Sequence, residues 1–426
     1  MRIIIIGAGL GGLTAAFCFA RRGHNVIVVE QRKHLSPQGS GLGIRPGATR
    51  ILHSWGLEPD MRAISDATPT VLLRDLKTGG IATRSVVENA SEVPDWGTHR
   101  TNMIEMLYRK AIGAGVDMQF GKSVRMVNDD LQQPHVELVD GTVLRADMIL
   151  AADGIWSRTR GQILGNEIVP NVSDITCYGI KLSAEQIFGN PAMAKSLTDN
   201  MAINIWMDEK TFVVGRWNQV LQVWSGRFGI QGESDSEQKS LWDEDGDIEW
   251  VRRWYRKKDT CPELMAALEM ADDCDRWRLA EMPNLPGWSS KSGRIVLLGD
   301  SAHAMQPNAA QGYSMIVESI AVLEHLIEHA NSHASERIPE IVRTWETIRK
   351  PRIERIKEYA KWNTAMFTGV PVASKSEVGK TMVKDLTHVA ADMNAKFHSV
   401  AFVKWVLDFD AVQEAQRYLE DNRARL

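Results

Sequence analysis

The chain opens on apolar runs broken by glycine. Arg2–Ile6 is a β-branched stretch of the kind that fills a strand buried on both faces. Residues 7–12 read as a turn. Residues 13–22 hold helix formers and stop at Gly23, which suits a helix C-cap. Asn25–Glu30 is a second β-branched strand, so the pattern predicts a βαβ unit. Two later strands, 147–152 and 294–298, run into the dipeptides Asp153-Gly154 and Gly299-Asp300. Between them, residues 201–207, 211–217 and 221–228 alternate with period two around Trp206, Trp217 and Trp224. That is the pattern of an antiparallel sheet with one buried face. From about residue 335 the chain is polar and helical in pattern, with Glu, Arg and Lys spaced through 345–359.

The expected fold class is α/β. A Rossmann-type parallel-sheet domain takes residues 1–66, 97–170 and 275–330. An inserted antiparallel β-sheet domain takes 67–96 and 171–274, and a helical segment takes 331–426.

Composition narrows the class. Of 426 residues, 44% are hydrophobic and 24% charged, which is ordinary globular usage and argues against disorder or coiled coil. Fifty Lys+Arg against 54 Asp+Glu give a net charge of −4, too balanced for a nucleic-acid or membrane-surface partner. Cys18, Cys177, Cys261 and Cys274 form no CxxC pair. No zinc ribbon or disulfide scaffold is therefore expected, and reduced thiols in a cytoplasmic setting are the simpler reading. No apolar run reaches the roughly 18 residues of a membrane span. The start superficially resembles a signal peptide, but Gly7, Gly9, Gly11 and Gly12 interrupt it, and Arg21 and Arg22 follow rather than lead. The acidic stretch 232–249 reads as a solvated surface connection. No Ser/His/Asp or Cys/His arrangement and no metal-ligand cluster emerges.

Gly7, Gly9 and Gly12 fit G-x-G-x-x-G. The first glycine permits a tight turn, the second lets backbone approach a pyrophosphate, and the third lets helix pack on strand. Free N–H groups at the helix start then hold the anion. Glu30 closes the second strand, where a carboxylate accepts from both hydroxyls of an adenosine ribose and repels a 2′-phosphate. Glycines alone also make plain turns. Strand, turn, helix, strand and acid in this order favour dinucleotide binding.

Together with Gly7 to Gly12, the runs Ala152-Asp153-Gly154 and Gly299-Asp300 resemble the single-component FAD-dependent aromatic hydroxylases (group A flavoprotein monooxygenases). The chain looks most like their salicylate hydroxylase-like branch, over nearly its whole length. Arg100 after His99, the run Asp153 to Arg160, the segment from Gly299 through His303 and Pro307 to Gly312, and Trp345 to Arg352 also match. There are two departures. Ala310-Gln311-Gly312 stands where many relatives have Gly-Gln-Gly, and Glu318-Ser319-Ile320 where they have Glu-Asp-Ala.

The resemblance implies a glutathione reductase-like FAD-binding domain. Its cofactor residues would be Gly7, Gly9, Leu10, Gly12, Glu30, Arg32, Arg100, Asp153, Asp300, Pro307, Gln311 and Gly312. Asp300 would bind the ribitol, and the helix after Gln311 would turn its positive end to the isoalloxazine. Met315, Ile316, Ile320, Leu323 and Ile327 are core on that helix. Asp153 would be a supporting residue and Arg160 a cation on a helix surface. Arg45 would hold a substrate or flavin-side anion, or be purely structural; it is the one catalytic candidate. His303 is usually structural in the family. Trp206, Trp217, Trp224 and Arg227 are substrate candidates, though alternation turns only half of such positions inward.

The implied reaction uses NADH or NADPH to reduce FAD. O2 adds at C4a, and the hydroperoxide delivers oxygen to a phenol or aromatic acid. The same chemistry on an alkene or a dearomatised ring, a flavin oxidase or dehydrogenase, and a non-enzymatic carrier of the same fold are the alternatives. Oligomeric state is left open.

Overall fold

The computed structural model describes the chain except residues 37–38, 68–69, 89–90, 191–193, 195–201, 237–243, 370–379, 387–388 and 423–426. The first part supplies β1 (Arg2–Ile6), α1 (Leu10–Ala20), β2 (Asn25–Glu30), β3 (Gly41–Ile44), α2 (Pro46–Ser54), β4 (Trp96–His99), α3 (Arg100–Gly113), β5 (Asp117–Phe120) and β6 (Met148–Ala151). The middle supplies β7 (Asn171–Ser183), β8 (Ile203–Asp208), β9 (Thr211–Asn218), β10 (Val223–Gln231), α4 (Ile248–Lys257), α5 (Pro262–Met270) and β11 (Asp275–Glu281). Then come β12 (Ile295–Leu297), α6 (Asp300–His303), α7 (Gly312–Ala330), α8 (Ile338–Gly369), α9 (Val400–Leu407) and α10 (Ala411–Asp421).

One sheet orders β12-β6-β1-β2-β5, all parallel. β1 is central, and Ile3, Ile4 and Ile5 are fully buried, as a strand covered on both faces requires. Parallel strands end at a common edge. Gly7 follows β1, Glu30 ends β2, Ala152-Asp153 follow β6, and Gly299-Asp300 follow β12. Doubly wound sheets bind ligands at that edge.

The second sheet has nine strands. β11, β7, β10, β9 and β8 lie between Glu244–Asp245 at one edge and Thr70–Asp75, Ile81–Glu88 and Lys380–Asp385 at the other. Two pairings are parallel, β8 with Thr70–Asp75 and Lys380–Asp385 with Ile81–Glu88. Two expected boundaries need correcting. Residues 275–281 were placed with the parallel sheet, yet β11 pairs antiparallel with β7. The C-terminal segment is not wholly helical, because Lys380–Asp385 joins this sheet. The expected strand 201–207 begins at residue 201, outside the described residues, and β8 starts at Ile203.

Period-two alternation gives this sheet two distinct faces. Trp206, Trp217, Trp224 and Phe228 share one, in a core cluster with Val251 and Trp254 of α4 and Leu264 of α5. Gly215 and Gly226 make room for them: a Cβ there would stand 2.6 and 2.4 Å from the Trp224 ring. The other face carries Phe212, Arg216, Asn218 and Arg227 and meets the first domain. Asn218 Nδ2 donates to Gly97 O at 3.0 Å, and Arg216 pairs with the buried Asp66.

The acidic stretch 232–249 is anchored where it is described. Asp235 accepts from Arg276 Nη1 at 2.8 Å and from the Tyr178 hydroxyl at 3.0 Å, and both members of the Asp235–Arg276 pair are almost fully buried.

Glu318 and the departing Ser319 of α7 meet the family-like run of α8. Glu318 Oε2 accepts from Arg349 Nη2 at 2.8 Å and Arg352 Nε at 2.7 Å, and Oε1 accepts from Arg352 Nη2 at 2.9 Å. Ser319 Oγ accepts from Arg349 Nε at 3.2 Å, and Trp345 Nε1 donates to Ser319 O at 2.7 Å. Burial alone would raise the Glu318 carboxyl, but the Arg352 and Arg349 guanidiniums outweigh it and hold the group below the usual range. Arg352 also lies 3.7 Å from the Phe409 ring centre and donates to Trp405 O and Val406 O, which ties α9 to α8.

Removing the carboxylate leaves two guanidiniums buried without their counterion. Glu318→Gln should lower unfolding free energy by about 3–5 kcal/mol in urea titrations. Ser319→Ala, which removes one neutral acceptor, should cost about 1 kcal/mol. Equal midpoints for Glu318→Gln and wild type would contradict this account of the α7–α8 contact.

Candidate functional site

The turn after β1 is set by how closely three backbones approach. Gly7 has φ +99°, and a Cβ there would stand 2.6 Å from Ala152 O. A Cβ on Gly12 would stand 1.9 Å from Gly7 O. Gly9 differs: a Cβ there meets nothing within 4 Å. Its surroundings open outward at the start of α1, where N–H groups and the helix dipole favour an anion. No acidic residue sits in that first turn. Leu10, the first residue of α1, is half-buried beside this opening.

Glu30 is held facing the turn. Its Oε2 accepts from Ala8 N and its Oε1 from Arg32 N, both at 2.8 Å. Both oxygens keep spare lone pairs for ribose hydroxyls. The Arg32 side chain points into solvent, so the structure gives it no place in the turn beyond its backbone bond.

The other strand ends converge on the same edge. Asp153 Oδ2 accepts from Thr159 N at 3.2 Å, while its Oδ1 is buried without a partner. Arg100 begins α3, and its Nε is likewise buried and unpaired. Ile316 of α7 touches both remote motifs: its side chain lies 3.6 Å from a Cβ built on Gly11 and 3.1 Å from one built on Gly299. The amino-terminal loop and the Gly299-Asp300 motif are therefore neighbours, with Asp300 exposed at the start of α6.

Arg160 corrects the expectation of a surface cation. It is buried and donates to Ile168 O, Ser301 O and Ile155 O, each at 3.0 Å, which pins the Asp153 loop to α6.

Pro307 starts a short 3-10 turn that leads into α7. Gln311 is buried, with Nε2 3.5 Å from Val406 O and Oε1 unpaired. A Cβ on Gly312 meets nothing within 4 Å, so the first turn of α7 also opens outward. Met315, Ile316, Ile320, Leu323 and Ile327 are buried. Ala310 takes a left-handed conformation at φ 50°, which costs a residue with a Cβ about 1–2 kcal/mol. It sits against β3, 3.2 Å from a Cβ built on Gly43.

Arg45 flanks this segment. Its Nη1 donates to Asp95 Oδ2 at 2.5 Å and its Nη2 to Ala309 O at 3.3 Å. Its charge is thus already matched by Asp95.

On the facing sheet, Arg227 Nη2 donates to Asn308 Oδ1 at 2.6 Å. Asn308 in turn bonds Thr364 Oγ1 at 2.9 Å and accepts from Asn363 Nδ2 at 3.1 Å. The structure does not bring Trp206, Trp217 or Trp224 to this surface. They lie on the opposite sheet face, packed against α4 and α5.

Sequence reasoning missed Asp95, Asn308 and Arg216. Asn308 lay inside the matching run from Pro307 to Gln311. Arg216 had the opposite parity to Trp217, which is the signal that separates the two faces.

Neither buried histidine serves as a base near neutral pH. Burial, then Lys357 and Arg349, push His303 down to about 3, and burial, then Lys181 and Arg216, push His99 down to about 4. Among the described residues, no cluster of three His, Cys, Asp or Glu could hold a metal ion, and no helix is long and apolar enough to cross a membrane.

FAD fits this edge. A cradle open at Gly9 and Gly312 and three buried polar atoms without partners, on Arg100, Asp153 and Gln311, are the features a bound dinucleotide would complete. The family described as FAD binding domain matches residues 1–360. The chain belongs to the FAD binding domain family. The chain is a flavoprotein, and FAD is its cofactor.

The flavoprotein is 29% identical to a 6-hydroxynicotinate 3-monooxygenase of Bordetella bronchiseptica, over 86% of this chain and 92% of the relative. It is 26% identical to the FAD-dependent monooxygenase OpS4 of Beauveria bassiana, over 97% and 96%. The structure of CtdE in complex with FAD and substrate 4 superimposes with a TM-score of 0.84 at 20% identity, covering 99% of this chain and 98% of that one. A salicylate hydroxylase substrate complex does so with 0.75 at 17%, covering 98% of each. Both structures share the fold of this flavoprotein.

The two glycines separate binding from folding. Gly9→Val should keep the wild-type melting temperature yet lose FAD in a fluorescence titration, because its side chain meets only the ligand. Gly12→Ala should lower the melting temperature even without FAD. The turn assignment fails if Gly9→Val binds FAD as tightly as wild type.

Proposed function

We propose that the flavoprotein hydroxylates an electron-rich aromatic, a phenol or aromatic acid, using FAD, O2 and NADH or NADPH. The single observation that carries this is the shared edge that joins the Gly7–Gly12 turn, Asp153 and Gly299-Asp300 and faces a polar sheet surface across Pro307–Ala309. Hydroxylase and monooxygenase names among the relatives support the same reading.

Bound FAD supplies reduction by NAD(P)H and activation of O2. The chain's own residues do the rest. Gly9 and the first turn of α1 receive the pyrophosphate, helped by Arg100. Glu30 takes the adenosine ribose and Asp300 the ribitol. The amino end of α7, from Gly312, would offer its partial positive charge to a bound flavin, which would favour negative charge on the reduced ring. Pro307–Ala309 is pinned by Arg45, Arg227 and Asn363, and with the sheet face that carries Phe212, Arg216 and Arg227 it would border a bound ring and aromatic substrate.

Asp153, Pro307 and Gln311 shape the loops that hold the cofactor. Arg45 acts as a structural tether of Ala309 rather than as a free anion site, given its pairing with Asp95. A different oxygenation on a secondary metabolite is the second reading, supported by relatives such as the asperlicin C monooxygenase.

Purified protein should be yellow. NADH or NADPH oxidation in air should accelerate when a phenol or aromatic acid is added, with a product one oxygen heavier by mass spectrometry. Flavin reduction driven by the substrate alone, without NAD(P)H, would overturn the hydroxylase reading in favour of an oxidase.

A further inference from the structure

A groove on the outer side of α8 combines flat rings with unpaired cations. Its cavity of about 340 Å³ lies between Trp362 and the loop 394–398 that leads into α9, a volume within the usual range of small-ligand clefts. Trp362 is buttressed by Tyr359, with ring centres 6.2 Å apart and planes tilted by 18°, and by Phe397 at 5.8 Å. The exposed His398 imidazole lies across from it, its plane inclined by 29° and its centre 6.5 Å away. Ring atoms in contact stand about 3.5–4.0 Å apart. The wider spacing of this near-parallel pair leaves a wedge that suits one more flat ring.

The loop is preorganised. Arg355 donates from Nε to Met393 O at 3.0 Å and from Nη2 to Ala395 O at 3.1 Å, and its charge is met by Glu358 at 2.8 Å. The other cations of the rim are not matched in this way. Lys384 Nζ donates to His398 O at 3.4 Å, Lys396 is exposed, and among the described residues neither has a carboxylate partner. Asp392, the nearest acid along the loop, accepts from Asn394 N at 2.8 Å. The groove also has a fixed place relative to the cofactor edge. Asn363, the next residue of α8, donates to Asn308 O at 3.1 Å, and Asn308 Nδ2 donates to Thr364 Oγ1 at 2.9 Å. The helix that carries Trp362 therefore anchors the loop that leads into α7.

Aromatic faces stack on a nucleotide base whatever its sequence of donors and acceptors, and lysines receive its phosphates. NADH or NADPH carries both in its adenosine diphosphate half, and the Gly9 turn and Glu30 are taken by FAD. We propose that this groove docks the adenine-nucleotide half of the nicotinamide co-substrate, with the adenine between Trp362 and His398 and the phosphates toward Lys396 and Lys384. The nicotinamide end then runs along α8 past Asn308 toward the flavin. The identity of the ligand rests on the NAD(P)H-dependent reading above.

The test uses FAD-loaded protein, so that the Gly9 turn is filled, and ADP-ribose, which has the adenine-nucleotide half and no nicotinamide. Ribose 5-phosphate, which lacks the base, is the control. By isothermal titration calorimetry, wild type should bind ADP-ribose at least about tenfold tighter than ribose 5-phosphate, and Trp362→Ala should weaken ADP-ribose by about five- to a hundredfold. Trp362→Phe should keep part of the affinity. Lys396→Glu, on the exposed loop, should weaken ADP-ribose severalfold and serves if Trp362→Ala does not fold. The concentration of NADH or NADPH that half-saturates flavin reduction in stopped flow should rise by the same factors, while FAD affinity stays at the wild-type value, which a merely structural loss at Trp362 would not predict. Absence of ADP-ribose binding to wild type, binding unchanged in both Trp362→Ala and Lys396→Glu, or binding that does not compete with NAD(P)H overturns the proposal. An intact ADP-ribose response with no oxygenated product would overturn hydroxylation and leave the groove standing.

Discussion

Everything in the site depends on how near three backbones come at the end of β1. Gly12 packs on Gly7, Gly7 on Ala152, and Ile316 bridges Gly11 and Gly299. These contacts are possible only without Cβ atoms at the crossing points, since a methyl at Gly12 would stand well inside van der Waals contact with a carbonyl. They draw together segments separated by most of the chain, and they leave α1 with an uncovered amino end. A dinucleotide needs an anion-binding end and a ribose acceptor at one sheet edge, and close packing of glycines produces both.

The second dependence is electrostatic. The molecule buries several guanidiniums and gives many of them an acid: Arg349 and Arg352 share Glu318, Arg216 takes Asp66, Arg276 takes Asp235 and Arg45 takes Asp95. Others are held by neutral oxygens: Arg160 and Arg294 by backbone carbonyls, and Arg227 by the side-chain oxygen of Asn308. Paired charges hold elements in register, here α7 to α8, the Asp235 loop to β11, and β9 to the first domain.

Ala310 and Ser319 show how departures from a family pattern are absorbed. Ala310 accepts a left-handed backbone and puts its methyl against β3, so the loop before α7 is stiffer than glycine would make it. Glu318 and Ser319 are answered by Arg349, Arg352 and Trp345, residues some thirty positions away that no local pattern connects to them. Compensation of this sort is visible only when both helices are in place.

The chain's own letters were enough for four of the five strands of the parallel sheet and for the edge on which they end. β1 and β2 were delimited by β-branched runs, the turn by glycine spacing, and the later strand ends by Asp153-Gly154 and Gly299-Asp300, because local sterics and period dictate those features. The substrate side was not legible in the same way. Alternation announced a sheet with one apolar face, but which face meets the first domain is a matter of packing, and the three tryptophans went to α4 and α5 while Arg216 and Arg227 went to the face toward the first domain. Arg160 looked like a helix-surface charge and became a buried clamp, and residues 275–281 crossed to the other sheet. Each of these outcomes depends on which remote carbonyl, acid or strand happens to arrive. Sequence distance hides that, and tertiary structure decides it.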